Sequence, residues 1–210
     1  MSKKMSVAAA ASLLVFILIA IVTVSGLFGE LNYSFENWAY GIESTTLTTI
    51  LRIVSYLSEW FVYVPIALLL IAVPKWRWKY GIPASITLGS SALLNILLKH
   101  GFAIQRPDTH RLITETGFGF PSGHAMNGAA FVGICTLLFV RHSSKQSSKI
   151  IVSGLTVLFL LAVGFSRVYL GVHNPTDIIA GYAMGLFLCL CTVCVMDIIQ
   201  TRKNNATHSQ

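Results

Sequence analysis

The chain has 210 residues, of which 54% are hydrophobic and only 11% charged, with a mean hydropathy of +0.70. So apolar a composition excludes an ordinary soluble domain and makes a bilayer the natural solvent. The formal net charge of +7 does not indicate a nucleic-acid partner, because the Lys and Arg residues form short clusters between apolar runs, where orientation in the membrane accounts for them.

Apolar runs of about 20 residues recur and strand-like alternation does not, so the spans are expected to be helices rather than strands of a barrel. The first run, Val7 to Phe28, follows Lys3 and Lys4 in the charge order of a signal peptide. It is longer than an h-region of roughly 7 to 15 residues and ends in no small-residue cleavage site, so it reads as a retained span. The segment after it carries Glu30, Glu36 and Glu43 and no Lys or Arg, and its Phe35 and Trp38 suit a membrane interface. Further runs lie at Leu47 to Val73, Gly81 to Leu98, His124 to Val140, Ile150 to Phe165 and Ile178 to Ile199. The expected fold is all-α, an integral membrane bundle of six transmembrane helices in one domain over residues 1–210, with a short interfacial segment after the first span.

Four basic clusters fall on alternate connections: Lys3 and Lys4; Lys75, Arg77 and Lys79; Arg141, Lys145 and Lys149; Arg202 and Lys203. By the positive-inside rule these face the cytoplasm, together with both termini of a multi-pass plasma-membrane protein. Within the second run, Arg52 and Glu59 share a helix face, as an ion pair through a bridging group or as two interface-facing charges. Neither reading places them in a site. Cys135, Cys189, Cys191 and Cys194 lie inside apolar runs and read as small hydrophobes, without disulfide or zinc spacing.

The loops Lys99 to Gly123 and Ser166 to Asp177 must then face outward, yet they hold four Lys and Arg residues on the side that should be poor in them. A local exception to an otherwise regular charge rule suggests that these cations serve something other than orientation. Lys99, Arg106 and Arg167 suit a tetrahedral dianion, since guanidinium forks and a compact ammonium both bind phosphate oxygens. Ser122 and Gly123 open the fourth span, where a Ser hydroxyl can cap the helix, the Ser122 and Gly123 amides are expected to point outward unpaired, and the helix dipole favours an anion. Pro175 favours the first helical position, which makes Asn174 the expected N-cap and Asp177 the third helical residue. From there the Asp177 carboxylate can reach back to accept the Nδ1 proton of His173, leaving Nε2 free to attack phosphorus. His124 stands at the start of the fourth span, positioned to protonate a leaving group.

Lys99, six residues, Arg106-Pro107; Pro121-Ser122-Gly123-His124; and Ser166-Arg167, five residues, His173, three residues, Asp177: in this pattern the chain resembles the type 2 phosphatidic acid phosphatases, a superfamily that includes vanadium haloperoxidases. The motifs lie within residues 99–177, and the plan of spans is similar to the family's membrane branch over nearly the whole chain. The resemblance implies that Lys99, Arg106, Ser122, Gly123 and Arg167 hold the phosphate, that His173 becomes phosphorylated with support from Asp177, and that His124 protonates the leaving group. It implies no metal and no cofactor. It implies substrates such as phosphatidylglycerophosphate, phosphatidate or undecaprenyl diphosphate, reached from the bilayer at the extracytoplasmic face, and the chain looks most like the small bacterial members. No obligate protein partner is inferred. Phe118, Phe120, Tyr169 and Leu170 beside the motifs suit an apolar mouth for a lipid tail.

Three other readings stay open. His124, His173 and Asp177 form a two-histidine, one-carboxylate set of metal-ligand type, although three neighbouring cations oppose a dication there. The outward cations also suit an anion or lipid transporter. The same phosphohistidine serves a phosphotransferase that passes phosphate to another lipid instead of water.

Overall fold

Inside hydrocarbon every backbone N–H and C=O must be bonded within the protein, which leaves a chain of this composition the helix. The structure, a computed structural model, describes residues 3–108 and 110–208, with the backbone alone at 203, 207 and 208. The helices are α1 (Lys3–Val24), α2 (Gly29–Gly41), α3 (Thr45–Tyr56), α4 (Trp60–Ala72), α5 (Pro74–Trp76), α6 (Ile82–Phe102), α7 (Gly123–His142), α8 (Gln146–Tyr169) and α9 (Pro175–His208), with a π-helical turn at Arg77–Gly81 joining α5 to α6. There is no strand among the described residues.

Five stretches are long and apolar enough to cross a membrane: Lys3–Val24, Pro74–Phe102, Gly123–His142, Gln146–Tyr169 and Pro175–Ala206. The sixth expected span, Leu47 to Val73, is not one helix but two, α3 and α4, bent by 40° at Leu57, Ser58 and Glu59. The cause is local. The Ser55 carbonyl is taken by Ser58, from its amide at 3.1 Å and from its hydroxyl at 2.8 Å, so the regular bonding ladder ends there. Glu59 then turns extended (φ −84°, ψ 157°) and starts α4.

Two of the helices that outrun their expected ends do so toward the site. Lys99 lies in the last turn of α6 and Arg167 in the last turn of α8, so the loops that follow them are shorter than the apolar runs implied. Apolar composition marks where contact with lipid stops, whereas a helix continues while its backbone is satisfied, and a cation in the last turn favours that continuation. The segment after α1 is the helix α2, in which Phe35 and Trp38 are exposed while Glu36 and Ala39 are buried. Asn32 Nδ2 donates to Thr176 Oγ1 at 3.2 Å, tying α2 to the start of α9.

The core centres on α7 and α9. A Cβ at Gly181 would fall 2.8 Å from the Ser122 carbonyl oxygen, and one at Gly185 would fall 2.5 Å from that of Met126. Two glycines four residues apart therefore let the two helices meet backbone to backbone, a small-residue contact suited to packing in lipid. On the other flank of α9, Ser12 Oγ of α1 donates to the Ala183 carbonyl at 3.0 Å, and Phe16 and Ala20 pack with Ala180, Ala183 and Met184. Ile150, Ile151, Leu155, Leu158 and Leu161 of α8 stay exposed, as a lipid-facing stripe requires.

Candidate active site

The loop after α6 carries the first half of the site. Ala103 takes the left-handed conformation (φ 50°, ψ 30°) and donates its N–H to the Lys99 carbonyl, which ends the helix. The chain then wraps around Arg106. Its Nε donates to Gly117 O at 3.1 Å, Nη2 to Thr116 O at 3.2 Å and Nη1 to Val172 O at 3.1 Å, so one guanidinium staples the loop to the turn before α9. Lys99 Nζ donates to Phe118 O at 2.6 Å.

Arg106 Nη1 also lies 3.1 Å from His173 Nε2. A guanidinium only donates, so Nε2 is the acceptor and the imidazole proton sits on Nδ1, 3.2 Å from Asp177 Oδ2. The same carboxylate oxygen accepts the Asn174 N–H at 2.9 Å, a reach back across the helix start that is possible because Pro175 opens α9. Burial, joined by the charges of Arg167, Arg106 and Lys99, holds the His173 imidazole well below the usual histidine range. The ring is therefore neutral near pH 7, with its lone pair directed at Arg106.

Glu115 lies between the two arginines, paired with Arg106 at 3.6 Å and with Arg167 through a short Nη2 bond. Burial raises the Glu115 carboxyl, but Arg167 and Arg106 outweigh it and hold the group below the usual carboxylate range. Arg167 Nη1 donates to Ser55 Oγ at 2.6 Å, while its Nε, buried, has no partner. His124 Nε2 is 3.0 Å from Glu59 Oε1. Lys99, Arg106, Glu115, Gly123, His124 and His173 line one cavity of about 190 Å³, with Glu59, Trp60, Asn95 and Asn127 completing its wall. A second polar cavity of about 300 Å³, lined by Arg52, Ser55, Glu59, Glu115 and Arg167, adjoins it across the two glutamates.

Of the eight expected site residues, Lys99, Arg106, Gly123, His124 and His173 face the first cavity, and Arg167 faces the second. Asp177 stands behind His173, and Ser122 is fully buried. Ser122 does not cap α7: its hydroxyl makes no capping bond and has no partner, and its N–H is not free but donates to the Asp177 carbonyl at 3.1 Å. The close approach of α9 to α7 at Gly181 brings that carbonyl within reach. The apolar mouth expected from Phe118, Phe120, Tyr169 and Leu170 does not form, because the last three are buried. Phe120 packs on Phe16 and Phe102, and the Tyr169 hydroxyl lies 2.9 Å from Thr48 Oγ1. Arg52 and Glu59 do not pair. Arg52 donates to Leu112 O at 2.7 Å, and Glu59, absent from the expected site, is part of its wall. Asn95 was also missed: its Nδ2 bonds Pro121 O at 3.2 Å, and its Oδ1 would meet a Cβ at Gly123 at 3.0 Å. Among the described residues, the group with metal-ligand spacing is Glu59, Glu115 and His124, whose ligand atoms lie within 4.8 Å of one another, rather than His124, His173 and Asp177. All three are already partnered, Glu115 with the two arginines and Glu59 with His124.

Fold and site together define a multi-pass helical membrane protein with a cationic cavity that carries two histidines. The chain belongs to the PAP2 superfamily, whose family model matches residues 80–200. It is 38% identical over 112 residues to phosphatidylglycerophosphatase B of Bacillus subtilis, a match that covers 51% of this chain and 54% of that protein. The aligned part thus spans about half that relative's length. It is 29% identical over 191 residues to an undecaprenyl-diphosphatase of Sulfolobus acidocaldarius, covering 86% of this chain and 88% of the other. Among solved structures, a transmembrane PAP2 type phosphatidylglycerolphosphate phosphatase from Bacillus subtilis superposes with a TM-score of 0.83 at 26% identity, covering 91% of this chain and 96% of that one.

Proposed function

We propose that the chain is a lipid phosphate phosphatase that works through a phosphohistidine. The observation that carries this reading is the state of His173, whose Nδ1 proton is held toward Asp177 and whose unprotonated Nε2, accepting from Arg106, borders a cation-lined cavity. In the reaction, Nε2 attacks phosphorus and a P–N bond forms as the bond from phosphorus to the lipid oxygen breaks. The electron pair stays on that oxygen, which takes a proton from His124. Asp177 stabilises the imidazolium that results. Water then attacks the phosphohistidine and gives a proton to His124, and the P–N bond breaks to release phosphate.

Lys99, Arg106 and Arg167 neutralise the phosphoryl oxygens, with Gly123 allowing close approach. Ser122 supports the site from behind, through its backbone bond to Asp177. The three cations supply the positive charge for which many phosphatases use a metal, and a dication beside them would be repelled. The names of the relatives favour phosphatidylglycerophosphate and undecaprenyl diphosphate as substrates; phosphatidate is a third candidate, from the motif resemblance alone. Trp60 and Asn127 line both the catalytic cavity and an apolar groove of about 330 Å³ walled by Val64, Ala67, Leu88 and Ala92, which suits a lipid tail. The basic clusters set the termini in the cytoplasm and the cavity at the extracytoplasmic face.

The test is phosphate release by the purified protein from phosphatidylglycerophosphate, phosphatidate and undecaprenyl diphosphate, with a chelator present throughout. Turnover of at least one substrate is expected, and His173→Ala and His124→Ala should each lower it by about a thousandfold or more. Near-normal turnover by His173→Ala would reject the nucleophile. Activity abolished by the chelator and restored by a divalent ion would reject the metal-free mechanism.

A further inference from the structure

A general acid surrounded by cations needs something to keep it charged. His124 shares its cavity with Lys99 and Arg106, and Arg167 lies just beyond Glu115. Each positive charge disfavours an imidazolium, the form that has a proton to give. From the 3.0 Å contact between Glu59 Oε1 and His124 Nε2, we propose that Glu59 is a positioning residue for the general acid: it orients the His124 ring and stabilises its imidazolium until the leaving oxygen takes the proton.

Three observations support this assignment. First, Glu59 is the N-cap residue of α4, yet its side chain makes no capping bond of good geometry, and its main partner is His124, with the Trp60 N–H a weaker one. Its backbone carbonyl serves the helix instead, accepting the Val62 and Tyr63 amides at 3.0 and 3.2 Å. Second, a carboxylate at membrane depth needs a partner, and although Arg167 attracts it at longer range, neither nearby arginine bonds it directly. Arg52 bonds Leu112 O, and Arg167 bonds Ser55 and Glu115. Third, the break between α3 and α4 is what turns Glu59 toward the cavity. In an unbroken helix the residue would follow the α3 axis, whereas the 40° bend lets one short segment present Ser55 to Arg167 and Glu59 to His124.

The role rests on the phosphatase reading and predicts a dependence on the leaving group. An alkoxide is a poor leaving group and must be protonated as the bond to phosphorus breaks, whereas nitrophenolate leaves without a proton. The experiment compares kcat/KM for a short-chain phosphatidate and for p-nitrophenyl phosphate. This quantity reports the steps up to release of the leaving group and is blind to later hydrolysis of the phosphohistidine. Glu59→Gln should lose about a hundredfold on the alkyl ester and less than about threefold on the aryl ester. Glu59→Asp should recover much of the alkyl activity, and Glu59→Gln combined with His124→Gln should be no worse than His124→Gln alone. Retained aryl turnover shows in the same preparation that the variant is folded. Equal losses on both esters, unchanged alkyl turnover, or additive losses in the double variant would each overturn the role of Glu59. A wild-type protein inactive on every phosphate ester would instead overturn the phosphatase reading.

Discussion

Glu115 occupies the place that the proposed phosphate site assigns to its anionic ligand. Its carboxylate joins Arg106 to Arg167, so a phosphate binding between those guanidinium groups must first displace it. The short bond to Arg167 is charge-assisted, a kind that contributes roughly 1.5 to 3 kcal/mol, whereas Arg106 at 3.6 Å is an ion pair without a hydrogen bond, and the entering phosphate must replace both. Glu115→Gln is therefore expected to bind inorganic phosphate about tenfold more tightly, read as a lower inhibition constant against phosphate release from a lipid. Unchanged inhibition would mean that phosphate binds without moving the carboxylate. The reach of sequence reasoning at this scale follows from how each residue declares itself. Lys99, Arg106 and Arg167 stand out because they break a charge rule, and His173 and Asp177 because Pro175 sets the start of α9. Glu59 and Glu115 carry no such mark. An acid in an apolar run with an arginine seven residues before it has two ordinary explanations, and the partner that matters, His124, is distant in sequence.

At the scale of elements, the contact between α7 and α9 sets the spacing of the histidines, since α7 begins beside His124 and α9 begins just after His173. Gly185 has no room for a side chain: its Cβ would lie 2.5 Å from the Met126 carbonyl oxygen and 2.7 Å from Ala129 Cβ. Gly185→Ala should destabilise the bundle by about 1 to 3 kcal/mol, visible as a lower melting temperature in detergent with a parallel loss of turnover. Gly154→Ala, whose Cβ would meet open space on α8, should be neutral or slightly stabilising. If both variants melt alike, Gly185 does not set the helix spacing. Long apolar runs made most of the helices legible in advance. The break in the second span was not, because Leu57, Ser58 and Glu59 include neither Gly nor Pro, and the interruption arises from a serine hydroxyl competing for a carbonyl. The contact between α7 and α9 was equally hidden, since a glycine in an apolar helix does not reveal which neighbour it admits.

For the whole molecule, the proposed orientation puts the loop after α6 outside and the connection between α7 and α8 inside. Thr116 and Ser144, both exposed, sample the two sides. In intact cells a membrane-impermeant maleimide should label Thr116→Cys above the background of the unmodified chain, and should label Ser144→Cys only after permeabilisation. The reverse pattern would put the cavity on the cytoplasmic side and change which leaflet supplies the substrate.

The backbone contact at Gly181 and Gly185 also divides the labour within the chain. Both histidines and Asp177 lie at one stiff joint, where a small displacement would meet main-chain atoms at once. Apart from Asn127 of α7, Trp60 and the wall of the apolar groove belong instead to α4 and α6. Under the proposed reading, changes in that wall alter which lipid is admitted while the reacting atoms keep their spacing, so one chemical core is refitted for different lipids by remodelling a single flank.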